Sequence, residues 1–278
     1  MFKIENDLVF LAVDPKGSEI ASFKDKQTNI EYMWQGDPKF WSGRNPTLFP
    51  MVSNTYNGVQ MINGKAYHMK NHGIVRSAKF NCTYQDEKTI VMTYEANDES
   101  KQLYPFAFKL DVRYELHGKR VDIIYTITNQ DDKDMPFGFG LHPAFNCPLL
   151  KDEKFEDYHL EFSNTETVKG LLGPLSLHDE KTIPCDYAWL KDNPTIVFEN
   201  PRSSFVKLTN GKHGVKVGIG SYKYIAFWTK EGAPFMCIEP WHSHGDFEKV
   251  DLPFEKRPDT INLAPNRSYT TAYYIELF

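Results

Sequence analysis

Cysteine is scarce in this chain of 278 residues, which has four (Cys82, Cys147, Cys185 and Cys237) and no C-x-x-C spacing. That excludes a disulfide-dense scaffold and predicts reduced thiols, with Cys237 packed near whatever site its segment carries. Long apolar runs are also missing. The first residues carry Lys3, Glu5 and Asp7, so neither a signal peptide nor a membrane-spanning helix is expected, and a cytoplasmic location is the default. Excess positive charge is absent too, because 32 Lys and Arg against 37 Asp and Glu leave a formal charge of −5. Nothing global draws the chain to nucleic acid or to an anionic membrane, although a local basic pocket remains open; the expected partner is a small molecule. There are no long Ala/Leu/Glu/Lys helical patterns, no Gly/Ser tract and no repeat, so residues 1–278 are read as one domain.

Aromatic side chains are plentiful. They make up 14% of the chain as 20 Phe, 15 Tyr and 5 Trp, a composition that favours sheets over helical bundles. Short β-patterned segments recur at 7–13, 19–23, 30–34, 78–84, 89–95, 106–116 and 120–129, then at 158–162, 195–199, 204–209, 215–219, 224–228 and 269–277. Polar turns, including 97–102, separate them. Asn63-Gly64 between two such segments is a two-residue hairpin signal, because both residues tolerate positive φ. Pro46 and Pro50 exclude a regular helix over 40–50, which reads as an ordered loop carrying Arg44. The expected fold is all-β, a sandwich or barrel of mostly antiparallel sheets.

Three stretches carry chemistry. In Phe235-Met236-Cys237-Ile238-Glu239-Pro240-Trp241 a carboxylate interrupts an otherwise apolar strand. A buried carboxylate must find a partner or shift its pKa, so Glu239 is either an ion-paired structural group or a catalyst. Strand alternation places Cys237, Glu239 and Trp241 on one face, where Trp241 offers a wall for a sugar ring. In Phe137-Gly138-Phe139-Gly140-Leu141-His142 the same alternation sends the phenylalanines into the core. The glycines are expected to leave space beside His142, unless they mark a bulge around a histidine held by backbone. The third stretch, His72-Gly73 with Arg76, is a turn histidine near an arginine and is weak by itself.

Taken together with Leu48-Phe49-Pro50, Gly140-Leu141-His142-Pro143-Ala144-Phe145 and Cys237-Ile238-Glu239-Pro240-Trp241, in chain order, these segments resemble the aldose 1-epimerase (galactose mutarotase) superfamily, in particular its LacX-type branch. The resemblance covers nearly the whole chain. It implies a β-supersandwich with a sugar site in an open cleft on a concave sheet, and a cofactor- and metal-independent isomerase of hexoses or hexose phosphates. It assigns Glu239 as the base on the anomeric hydroxyl, His142 as the acid on the ring oxygen, and His72 as a residue that holds and polarises that oxygen. Reference pKa values of about 4.3 for Glu and about 6.5 for His suit those roles near neutral pH without strong tuning.

Two positions depart from the family pattern. Asn54 stands where many relatives carry a sugar-contacting arginine, which an amide cannot replace. Asp192 is only the nearest candidate for the family's sugar-binding aspartate. Arg44 and Arg76 are the candidates to compensate or to receive a phosphate. Two other classes stay open: a metal site at His242 and His244, and a sugar-binding or regulatory module without turnover.

Overall fold

A computed structural model describes residues 1–173, 175–190 and 195–278. Two large antiparallel sheets dominate it. The first orders nine strands as Leu177–Pro184, His159–Val168, Phe205–Thr209, Gly214–Gly218, Ser268–Leu277, Arg120–Asn129, Phe108–His117, Thr89–Glu95 and Asn81–Gln85. The second has seven. It runs Gly170–Leu172, Thr195–Glu199, Tyr224–Trp228, Phe235–Trp241, Gly140–Leu141 and Thr47–Leu48, and Ala144–Asn146 also pairs with Phe235–Trp241. A three-stranded meander, Phe2–Glu5, Val9–Asp14 and Glu19–Asp25, stands beside them.

Alternation explains how the sheets close on each other. Along Arg120–Asn129 the burial alternates strictly, with Val121, Ile123, Tyr125, Ile127 and Asn129 inward, as a half-buried strand requires. Phe235–Trp241 is instead buried at every position. Its Met236 and Ile238 enter the main core, while Phe235 and Cys237 join a separate cluster with Trp34 and Ala144. A strand buried on both faces has something packed on each, which makes it the axis of the second sheet.

The segments at 89–95, 120–129, 195–199 and 224–228 form strands with the expected bounds. The Asn63-Gly64 turn joins Gln60–Ile62 to Lys65–Tyr67, with both turn residues at positive φ. Three readings need correction. Residues 97–102 are not a plain turn: Asp98–Leu103 is a short helix, because Asn97 accepts a hydrogen bond from the Ser100 N–H and the Ser100 hydroxyl caps Asn97 N in return, a capping box that propensity alone does not reveal. Segment 30–34 contributes only isolated bridges, Lys24 to Glu31 and Met33 to Phe145. The 40–50 loop does contain a strand, Thr47–Leu48, at the edge of the second sheet.

One glycine ties the turn of His72 to the Leu-Phe-Pro segment. Gly73 sits at φ +76° with its Cα against the Phe49 carbonyl, where a Cβ would overlap backbone, and the next N–H, of Ile74, donates to that same carbonyl at 2.9 Å. Gly73→Ala therefore combines a strained φ with a backbone clash. Urea unfolding should show a loss of about 1–3 kcal/mol, and an unchanged midpoint would contradict this packing.

Candidate active site

The strand pairings bring Glu239 and His142 together. Gly140 pairs with Trp241 and Ala144 with Cys237, so the chain between Gly140 and Ala144 runs alongside Glu239. His142 Nε2 lies 3.5 Å from Glu239 Oε2. Both residues are almost sealed from solvent, at 7% and 1% exposure. Glu239 Oε2 and His142 Nδ1 have no hydrogen-bond partner within the protein, although buried polar atoms are normally paired.

Burial sets the proton inventory. It pushes the Glu239 carboxyl well above the usual carboxylate range, opposed in part by the Trp241 indole N–H. It also pushes His142 well below the ordinary imidazole value, with His72 and Arg76 acting in the same direction. The expectation of near-reference values is thus overturned: taking both groups out of water favours their neutral forms.

His72 completes the cluster, its ring edge-on to His142 with centroids 5.6 Å apart. The turn that holds it is left-handed, with φ 68° at His72. His72 N donates to Ser53 O at 2.9 Å, while Ser53 N donates to His72 Nδ1 at 3.0 Å. Because Nδ1 accepts, the neutral ring carries its proton on Nε2 as a donor. Burial, helped by Arg76, lowers the His72 pKa from the ordinary 6.5 to about 4, which maintains that tautomer at neutral pH.

Two expectations about space fail. A Cβ on Gly138 would overlap the Ser243 hydroxyl, and one on Gly140 would come within 2.7 Å of Trp241 and Val52. The glycines therefore admit close packing rather than leave a cavity. Trp241 does share the face of Glu239, but it is buried among Leu48, Val52, Val197, Tyr224 and Ala226, and its indole N–H donates to Leu141 O at 3.2 Å. It backs the site from inside.

The aromatic that covers the site was not found from the sequence. Trp41, half-buried, stacks on His142 with centroids 4.7 Å apart and planes 26° from parallel. It meets Trp228 edge-on at 5.2 Å, and Trp34 Nε1 donates to the Trp41 carbonyl at 2.8 Å. The only signal in the sequence is its place beside Gly43, whose Cβ would strike the Trp41 ring.

Arg44 and Arg76 line one cavity of about 250 Å³ with Lys16, Asp14, Glu19 and Ser42 among its walls. Acidic groups share it. Arg44 pairs with Asp14 at 3.3 Å, and Glu19, raised to about 7 by burial, lies within the field of both guanidiniums. Asn54 is elsewhere: its Oδ1 accepts from Thr55 N and Gln60 Nε2, each at 2.9 Å, and it borders a small cavity beside Asp246 and Arg257. Asp192 lies outside the described residues. His242 and His244 do not form a metal pair. His242 Nε2 meets Thr271 Oγ1 at 2.8 Å with its ring stacked on Tyr222, whereas His244 stacks on Phe247 and bonds Gly245 O. No helix among the described residues is long and apolar enough to cross a membrane.

A family model described as aldose 1-epimerase matches residues 2–270. The chromosomal protein LacX of Lactococcus lactis subsp. lactis is 29% identical over 296 aligned positions, covering 99% of this chain and 98% of its own. Among solved structures, a galactose mutarotase related enzyme from Lactobacillus acidophilus superposes with a TM-score of 0.93 at 26% identity, covering 100% of this chain and 97% of its own. A galactose mutarotase-like protein from Lactobacillus casei gives 0.90 at 27% identity, with 100% of both chains covered. The all-β supersandwich expected from the sequence is the fold observed.

Between about pH 6.5 and 4 the unfolded chain binds a proton at His72 that the native chain refuses. The stability this residue contributes is therefore full above that window and declines as pH falls through it. His72→Asn keeps a residue that tolerates positive φ and offers an acceptor to Ser53 N. Unfolding free energies from urea titrations across the window should fall less for this variant, by on the order of 2–3 kcal/mol; identical pH dependence would refute the neutral, buried assignment.

Proposed function

Because the chain belongs to the aldose 1-epimerase family, we propose that it interconverts the α and β anomers of a hexose by acid–base ring opening at His142 and Glu239. The observation that carries this reading is the sealed contact between the two, with an unpartnered oxygen on Glu239 and an unpartnered nitrogen on His142. Opening a cyclic hemiacetal takes one proton from the anomeric hydroxyl and delivers one to the ring oxygen. A base and an acid suffice, and rotation about the bond to the anomeric carbon followed by reversed transfers closes the other anomer.

With the site closed, burial leaves the pair's single transferable proton on the carboxyl. A sugar hydroxyl donating to Glu239 Oε2 stabilises the carboxylate, and the proton then belongs to His142, so that base and acid arise together when substrate binds. His72, neutral and presenting its Nε2–H, supplies a hydrogen bond to the ring oxygen. Since Glu239 is 1% exposed, entry of the sugar displaces the Trp41 indole from His142, and the same ring then offers an apolar face to the C–H side of the pyranose. Polarimetry with fresh α-glucose and α-galactose should show accelerated mutarotation that falls by about 10²–10⁴ in Glu239→Gln and in His142→Ala. Sugar binding without acceleration would instead establish a carbohydrate-binding or regulatory protein.

The arginine cavity favours a neutral sugar over a sugar phosphate. Asp14 pairs with Arg44 at 3.3 Å, and Glu19, half-ionised near pH 7, lies near both arginines, so a phosphate entering there meets acidic groups as well as guanidiniums. Arg76→Ala should leave the affinity for hexose 6-phosphates, read by calorimetry, within about twofold of the parent; a drop of about tenfold or more, the loss expected for a charge-assisted contact, would make the cavity a phosphate receptor.

A further inference from the structure

Cys237 has no part in ring opening, yet it belongs to the same cluster. It lies two residues before Glu239 on the same face of the Phe235–Trp241 strand and is fully buried. One donor atom from each of His142, Cys237 and Glu239 lies within 4.8 Å of the other two. Among the described residues no other group of three His, Cys, Asp or Glu side chains meets this geometry.

We propose that His142, Cys237 and Glu239 form a binding site for a borderline divalent cation of the Zn²⁺ class, and that the bound ion shuts the sugar site. Imidazole, thiolate and carboxylate are the donor types this class of ion takes, with three protein ligands and a fourth, open position. The spacing fits. Tetrahedral bonds of about 2.1 Å place neighbouring donors about 3.4 Å apart, and His142 Nε2 and Glu239 Oε2 are separated by 3.5 Å. Glu239 Oε2 is buried and unpartnered, so a cation there meets an acceptor that nothing in the protein satisfies.

Charge balance favours the ion over its separate ligands. A thiolate or a carboxylate alone is costly in this dry cluster, but a dication with one thiolate, one carboxylate and a neutral imidazole is neutral overall. On binding, the thiol and carboxyl protons pass to solvent. The ion uses the same lone pairs that would move protons on a sugar, and it enters under the same Trp41 ring. The inhibitory half of the proposal rests on the epimerase reading; the metal binding does not.

The test titrates the full, metal-free chain with Co²⁺ and reads its absorption. One Co²⁺ per chain is expected, with a near-ultraviolet thiolate-to-cobalt band and intense visible bands of four-coordinate cobalt, displaced by Zn²⁺. Cys237→Ser, and separately Cys237→Ala, should abolish the charge-transfer band and weaken Co²⁺ binding by more than about tenfold, whereas Cys82→Ser, at the half-exposed cysteine, should retain both. Far-UV circular dichroism identifies whichever variant is folded. No band, or a band that survives in a folded Cys237 variant, overturns the site. Polarimetry of the metal-free chain is read separately. Mutarotation that stops with one equivalent of Zn²⁺ supports the whole proposal, and mutarotation that persists in the Zn²⁺-loaded chain overturns the inhibitory half. A cobalt band in a chain that never accelerates mutarotation upholds the metal site and removes the epimerase reading.

Discussion

Withdrawal of one carboxyl and one imidazole from water is the constraint on which the rest of the structure turns. His142 and Glu239 touch beneath aromatic rings, and one buried polar atom of each, Nδ1 and Oε2, lacks a hydrogen-bond partner within the protein. That arrangement costs stability, because each unsatisfied buried atom forfeits about 1–3 kcal/mol. The surrounding sheets offset it by packing both faces of the Phe235–Trp241 strand. A low-dielectric pair of this kind responds strongly to a hydroxylated ligand, since each hydrogen bond the ligand supplies replaces one the protein withholds.

The supports of this pair are mostly backbone. Gly140 pairs with Trp241, and the Ala144 N–H donates to the Arg44 carbonyl at 2.8 Å, so the histidine segment is held between the central strand and the arginine loop. The Gly138 N–H donates to the Pro50 carbonyl at 2.6 Å, and His72 N donates to Ser53 O. These bonds join the Leu-Phe-Pro segment to both histidines. Backbone contacts tolerate substitution of neighbouring side chains, which suits relatives that keep the fold at 26% and 27% identity.

The electrostatics around the pair are arranged in a second tier. Arg76 lowers the pKa of both His72 and His142, and also that of Glu19, whose burial outweighs it. One guanidinium thus reinforces the burial that keeps the two imidazoles neutral on one side and faces a carboxyl-containing cavity on the other. Cys237, pushed up by burial and by Glu239, remains a thiol.

The sequence by itself determined the β-rich class, most strand positions, the Asn63-Gly64 hairpin and the face shared by Cys237, Glu239 and Trp241, because alternation and turn chemistry are local and repeat along the chain. The histidine, glutamate and Leu-Phe-Pro segments also carry the family resemblance, and it is that resemblance which implies the candidate acid and base. Tertiary structure decided what surrounds them. Trp41 comes from an irregular loop with no periodicity to reveal it, and whether Trp241 faces a sugar or the interior depends on what packs over its strand. The glycines at 138 and 140 read equally well as open space or as close approach until Ser243 and Trp241 are seen against them. The sharing of the arginine cavity by Asp14 and Glu19, and the depth that shifts Glu239 and His142 away from their ordinary pKa values, are through-space properties. Burial and electrostatic fields belong to the assembled neighbourhood, and no single stretch of sequence carries them.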